Sequence, residues 1–204
     1  MRKRNFFPQN RGYTLADLIG YRFEYLIQNK YPFLTWNNRG SNLSDFSYKD
    51  FHLEAKGQCV KYGGRIKPDQ VNTFRDLDKP VFYIYGWHSQ TGLTKMKKSL
   101  VTTMVAQLQF WDLCLVDNAL IEKFFAQEQR FAKKQKENGD NHYCVIKPRH
   151  FRQIASNALI KRGGEMVNAH DFYGLNPSEW VFNEQNGIKI LVRKNRVSLI
   201  GCLI

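Results

Sequence analysis

Cysteine is scarce and scattered in this chain: Cys59, Cys114, Cys144 and Cys202 stand far apart, with no CxxC pair. That spacing excludes a zinc knuckle and a disulfide framework and reads as four reduced structural thiols. The isolated His142-x-Cys144 pair has no second pair of ligands at zinc spacing, so it too reads as structural. No apolar run approaches the roughly 18 residues that a bilayer span needs. The opening Met1-Arg2-Lys3-Arg4-Asn5-Phe6-Phe7-Pro8 lacks the apolar stretch of a secretory signal. The expectation is a soluble, cytoplasmic protein with no membrane partner. Acidic residues are also few, 18 Asp and Glu against 31 Lys and Arg, for a net charge of +13. A field of that sign suits a polyanion, and nucleic acid is the commonest one.

The 204 residues are enough to bury one sizeable core. Residues 1–12 read as a basic arm and 13–204 as a single domain, with a core over about 13–90 and an elaboration over about 91–204. Neither an internal repeat nor a low-complexity tract is present, and the polar stretch Lys133 to Asn141 is the best candidate for a disordered loop.

Thr14 with Asp17 three residues on has the form of a capping box, and Leu15, Leu18, Ile19, Phe23, Leu26 and Ile27 recur at helical spacing. The spacing predicts a first helix over about 14–29, stopped by Tyr31-Pro32. A short strand at Phe33 to Trp36, a loop from Asn37 to Asn42, a helix from Pro68 to about Leu77 and a buried strand at Val81 to Tyr85 follow. Further on, helices are expected over about 96–110, 117–137 and Arg149 to Lys161, with a strand at Tyr143 to Ile146. A terminal hairpin is expected from Ile188 to Val192 and Arg196 to Ile204. The class is α/β or α+β: a mixed β-sheet flanked by helices, with a mostly helical C-terminal part ending in a β-hairpin.

The segment from Asp45 to Gln58 is the most informative. If Lys49-Asp50 is a two-residue turn, antiparallel pairing sets Tyr48 opposite Phe51, Phe46 opposite Leu53 and Asp45 opposite Glu54. One face then carries Phe46, Tyr48, Phe51, Leu53 and Ala55, and the other Asp45, Ser47, His52, Glu54, Lys56 and Gln58. A slip of one residue would destroy that sorting. In this register two carboxylates face each other with Cβ atoms about 5 Å apart, which is destabilising for like charges. A hard cation such as Mg²⁺, with Mn²⁺ able to substitute, would turn the repulsion into a binding site. Lys56, two residues along the same face, can reach a phosphate whose charge grows in a transition state. The alternative is a solvated strand face of mixed charge.

Ser44-Asp45-Phe46 followed by Leu53-Glu54-Ala55-Lys56-Gly57 resembles the D-x(n)-E-x-K signature of the PD-(D/E)XK nuclease superfamily over roughly residues 13–86. That superfamily includes restriction enzymes, archaeal Holliday-junction resolvases and phage exonucleases. The resemblance implies a restriction-endonuclease-like mixed sheet and Mg²⁺-dependent cleavage of DNA, duplex or branched, leaving a 5′-phosphate and a 3′-hydroxyl. Ser44 stands where the signature has Pro, a position without a part in metal binding. Asp45 and Glu54 become the expected metal ligands, and Asp45, Glu54 and Lys56 the expected catalytic set. Many such nucleases carry a Glu on the first helix, which would make Glu24 a ligand, although its place on the helical wheel equally suits a solvated face. The resemblance also places a polar site residue near Gln70.

Gln58 continues the polar face of the strand and is a supporting candidate. The stretch Lys61-Tyr62-Gly63-Gly64-Arg65-Ile66-Lys67 reads as a glycine-loosened loop whose Lys61, Arg65 and Lys67 would grip phosphates. Arg149, in Lys147-Pro148-Arg149-His150 at the start of a predicted helix, is a further phosphate contact. His52 stands one pair from the turn and reads as a surface histidine. The 10 Tyr and 15 Phe are assigned to the core rather than to base stacking. DNA is the expected partner, a homodimer the expected assembly, and a catalytically inactive nucleic-acid-binding module on the same fold the alternative.

Overall fold

A computed structural model describes residues 13–37, 44–131 and 144–204. The basic arm, the stretch 133–141, His142, Tyr143 and most of the expected loop after Trp36 therefore lie outside the described residues.

The first helix, α1 (Leu15–Lys30), begins as its capping box dictates. Asp17 N–H donates to Thr14 Oγ1 at 3.3 Å, and Thr14 N–H donates to Asp17 Oδ2 at 2.9 Å. The short β1 (Thr35–Trp36) leads to β2 (Phe46–Tyr48), the Lys49-Asp50 turn and the long β3 (Phe51–Cys59). The register is the expected one, with Phe46 opposite Leu53 and Tyr48 opposite Phe51.

After β4 (Gly64–Ile66) and α2 (Pro68–Arg75), β5 (Val81–His88) runs parallel to β3. It is buried at all eight positions, as a near-continuous apolar strand covered on both faces must be. The chain continues through α3 (Lys98–Ala106), β6 (Trp111–Asp117), α4 (Asn118–Phe131), β7 (Cys144–Ile146) and α5 (Pro148–Ser156). It ends with β8 (Leu159–Arg162), β9 (Glu165–Asn168), α6 (Ala169–Tyr173), β10 (Trp180–Gln185), β11 (Ile188–Arg193) and α7 (Val197–Ile200).

Seven strands form one mixed sheet in the order β1-β2-β3-β5-β6-β11-β10, flanked by helices. Alternation sorts its two faces. Phe46, Leu53, Phe82, Ile84, Leu115 and Ile190 meet Phe23 and Ile27 of α1 and Ile200 of α7. Tyr83, Tyr85, Val116 and Leu191 meet Phe74 of α2, Phe124 of α4 and Phe151 of α5 on the other side. All four cysteines are free thiols, Cys114 and Cys144 being buried. No helix among the described residues is long and apolar enough to cross a membrane.

Several local expectations are corrected. Residues 63–64 are not a loose link: both glycines are buried, and Gly64–Ile66 pairs antiparallel with Cys144–Ile146. The stretch between the two expected helices is β6, in the centre of the sheet, where pairing with β5 and β11 decides its state. The last hairpin pairs β11 with β10 rather than with Arg196 to Ile204. Asn186 and Gly187 both take positive φ, 52° and 72°, which is the type I′ turn that Asn-Gly favours. Residues 194–200 are helical, and Ile200 and Leu203 plug the core. The helix expected from Arg149 to Lys161 stops at Ser156, because Asn157 adopts φ 50° and β8 then turns back on β9 through Gly163 and Gly164.

Gly57 and Gly86 are neighbours across β3 and β5, and Phe23 of α1 lies directly on them. A Cβ at Gly57 would stand 2.6 Å from Phe23 Cβ and 2.8 Å from Phe110 Cε1, inside any real contact. Gly57→Ala is therefore expected to destabilise the protein by about 1–3 kcal/mol through overpacking. Urea denaturation should show a lowered midpoint at unchanged slope. An unchanged midpoint would mean that α1 does not need this close approach.

Candidate active site

The site grows out of a mismatch in strand length. β2 is three residues long and β3 nine, so from Glu54 onward β3 has no strand neighbour on its β2 side among the described residues. Asp45, one residue before β2, closes the first gap. Its Oδ2 accepts from the Ala55 N–H at 2.9 Å, and its own N–H donates to Glu54 Oε2 at 3.2 Å. The two acidic residues are thus joined through backbone as well as by register.

Glu54 is buried and well supported. Lys56 Nζ and Gln70 Nε2 both donate to its Oε1, the latter at 2.7 Å, which accounts for Gln70 at the start of α2. Glu24 is also buried, 4% exposed, with Trp36 Nε1 donating to its Oε2 at 3.0 Å. The solvated-face reading of Glu24 is thereby overturned. The close packing of Phe23 on the glycine pair brings its neighbour inward as well, a tertiary effect that the apolar stripe of α1 does not show.

Together these groups border a cavity of about 390 Å³ whose lining includes Glu24, Asp45, Glu54, Lys56, Gln58 and Tyr62. Gln58 packs its side chain over Gly64, where a Cβ would meet Gln58 Cγ at 3.0 Å. The phosphate-contact candidates do not themselves line the cavity, although Tyr62 and Gly63, next to Lys61 in the chain, do. Lys61, Arg65 and Lys67 are exposed on the turn and strand after β3, and Lys61 lies 5.8 Å from the Tyr62 ring centre. Arg149 is exposed at the start of α5, which follows the strand paired with β4. His52, by contrast, is buried with its Nε2 3.4 Å from Asp78 Oδ1, not the surface histidine expected.

Three carboxylates and one ammonium leave this cavity with excess negative charge. Burial, then Glu54 and Glu24, push the Asp45 carboxyl well above its usual range, against the opposing pull of Lys56 and the Ala55 N–H. For Lys56, burial works against the charged form, but Glu54, Asp45 and Glu24 outweigh it and hold the ammonium protonated. Among the described residues no group of three or more His, Cys, Asp or Glu is gathered closely enough to hold a metal ion by itself. The donor set nevertheless fits a hard divalent cation, because Mg²⁺ takes one or two carboxylates and completes its shell with water and substrate oxygens. An excess of carboxylate at a buried edge is the charge imbalance that such a cation relieves.

No family model, curated protein or solved structure matches the chain. Its chemistry is read from this geometry.

A raised carboxyl pKa has a defined sign for stability. The folded state holds the proton more tightly than the unfolded one. The associated stability is therefore present below the ordinary value of 3.8 and is lost as pH rises through the folded value. Asp45→Asn should thus raise the melting temperature at pH 7 by roughly 2–4 °C, the shift about 1 kcal/mol produces in a chain of this size. The gain should vanish below pH 4. Equal melting of the two proteins at pH 7 would show that Asp45 carries no electrostatic cost.

Proposed function

We propose that this protein is a metal-dependent nuclease of the PD-(D/E)XK type that hydrolyses phosphodiester bonds of DNA, leaving a 5′-phosphate and a 3′-hydroxyl. The observation that carries this reading is the convergence of Asp45, Glu54 and Lys56 on one cavity at the open edge of β3. A helix, a hairpin, a helix and a parallel strand surround them in the order expected of that superfamily. The net charge of +13 suits the polyanionic substrate.

Asp45 and Glu54 would hold Mg²⁺ or Mn²⁺, with Glu24 reaching it directly or through water. When bound, the cation supplies Lewis-acid polarisation of the scissile phosphate. In the reaction the oxygen of a water bonds to phosphorus, the bond from phosphorus to O3′ breaks, and the proton leaves the water for the departing oxygen. Lys56 is placed to stabilise the charge that grows on the phosphate oxygens and to orient the attacking water. Gln70 keeps the Glu54 carboxylate aimed by its hydrogen bond, and Gln58 lines the path beyond Lys56.

The test is incubation of wild type, Glu54→Ala and Lys56→Ala with supercoiled plasmid, linear duplex and a four-way junction, in Mg²⁺, Mn²⁺ or EDTA. Cation-dependent cutting is expected, reduced at least about a hundredfold in each variant. The preferred substrate separates a sequence reader from a shape reader. Retained cutting by Glu54→Ala would sink the site assignment. Salt-dependent DNA binding by wild type without cutting of any substrate would establish the inactive binding module instead.

A further inference from the structure

Most aromatic rings among the described residues are buried or half-buried, in keeping with their assignment to the core. Tyr62 departs from it: at 61% it is the most exposed aromatic side chain among them, and it lines the candidate active cavity. A single exposed ring on a protein surface is ordinary. A ring exposed in the same cavity as Asp45, Glu54 and Lys56 is not.

The turn that carries Tyr62 is tightly held. The Tyr62 and Gly63 N–H groups both donate to Cys59 O, at 3.2 Å and 2.9 Å. Gly63 takes φ 74°, and a Cβ there would stand 2.7 Å from Ile146 O and 2.8 Å from Val145 Cγ1. The chain is thus clamped between the end of β3 and β7 before it pairs with β7 as β4. A ring on such a turn loses little further freedom when a ligand packs on it, because tyrosine has few rotatable side-chain bonds. Lys61 Nζ lies over the ring, 5.8 Å from its centre. A cation occupies one face and leaves the other for a planar partner.

Size and lining narrow the identity of that partner. The cavity holds about 390 Å³, near the lower end of the roughly 300–1,000 Å³ of sites for small molecules. That volume suits one nucleotide and is too small for a paired duplex. In a duplex each base is stacked between its neighbours and offers only its edge, so a ring can stack on a base only where the base is unpaired. Ala16, Ile19 and Gly20 of α1 add small or apolar surface to the lining, which admits a neutral planar base.

We propose that Tyr62 is a stacking platform for an unpaired base beside the scissile phosphate, so that the substrate is DNA presenting an unpaired nucleotide: a single strand, an overhang or a branch. The inference rests on the nuclease reading and narrows its substrate. With the scissile phosphate beside Lys56, the base of the same or the adjoining nucleotide meets Tyr62 within the cavity they share. Such stacking tolerates any sequence, because every base has a π-face.

The experiment compares two DNA probes: a blunt duplex, and a fork made of the same duplex with two unpaired arms that carry 2-aminopurine. By fluorescence anisotropy in EDTA, wild type should bind the fork at least about tenfold more tightly than the blunt duplex. Tyr62→Ala should lose about tenfold on the fork, with blunt-duplex binding unchanged. Tyr62→Phe and Tyr62→Trp should bind as wild type does, whereas Tyr62→Leu, apolar but not aromatic, should behave as Tyr62→Ala. The 2-aminopurine emission, which responds to stacking, should change on binding to wild type and not to Tyr62→Ala. In Mg²⁺ wild type should cut the fork in preference to the blunt duplex, and Tyr62→Ala should lose that preference. The melting temperature of Tyr62→Ala should match wild type, as befits an exposed ring.

A wild type that cuts DNA but binds both probes equally, or in which Tyr62→Ala changes binding to both probes alike or to neither, would overturn the platform and leave the nuclease reading intact. Wild-type binding of the fork by Tyr62→Leu would also overturn it, since any apolar contact would then suffice. Failure of wild type to bind either probe would overturn both readings. A fork preference that needs the Tyr62 ring, without cutting of any DNA in Mg²⁺ or Mn²⁺, would support the platform while removing the nuclease.

Discussion

The packing of Phe23 onto Gly57 and Gly86 governs the geometry of the candidate site. Two glycines opposite each other on adjacent parallel strands open a shallow seat, and a single ring of α1 fills it. That contact lets the helix approach the sheet closely enough for its next residue, Glu24, to reach the cavity bordered by Asp45, Glu54 and Lys56. Protein interiors are close-packed and do not deform smoothly, so an added methyl at either glycine would move the helix as a unit. Stability and site geometry therefore depend on one contact.

The second organising feature is electrostatic. Asp45 completes the edge of β3 by accepting the Ala55 N–H, and Glu54 accepts from Lys56, Gln70 and the Asp45 backbone. Each hydrogen bond is favourable, yet the set confines three carboxylates near one ammonium in a region sheltered from water. A core selected for stability alone would not hold that arrangement, since burying uncompensated charge is costly. Such local costs concentrate at sites that bind or transform something charged. Elsewhere the chain treats its charges differently: Asp112 and Asp117, both near the buried end of the scale, are matched by Lys189, Arg152 and Arg193. Matched pairs within the sheet thus contrast with three carboxylates that border one cavity with a single ammonium at its open edge.

Legibility from sequence followed the range of the interactions involved. The capping box of Thr14 and Asp17, the Lys49-Asp50 turn and the register of β2 with β3 are set by neighbours within a few residues, and alternation of side chains alone identifies them. The same alternation brings Asp45, Glu54 and Lys56 together, because a strand's two-residue period fixes which side chains share a face. The Asn186-Gly187 turn is equally local, and the positive-φ preference of Asn-Gly marks the β10–β11 hairpin more firmly than the apolar run that follows it.

Long-range packing settled the remainder. Whether Trp111 to Asp117 is a strand depends on β5 and β11 offering it hydrogen bonds on both sides, and whether Gly63-Gly64 is loose depends on β7, some eighty residues away in sequence. The burial of Glu24 depends on two glycines in other elements and on Trp36 supplying a hydrogen bond. Local order and the identity of the central acidic residues were thus written in the chain's periodicity, which acts over one or two turns. The cavity's shape and its charge imbalance came from the fold, because they arise where segments distant in sequence are pressed together and share one environment.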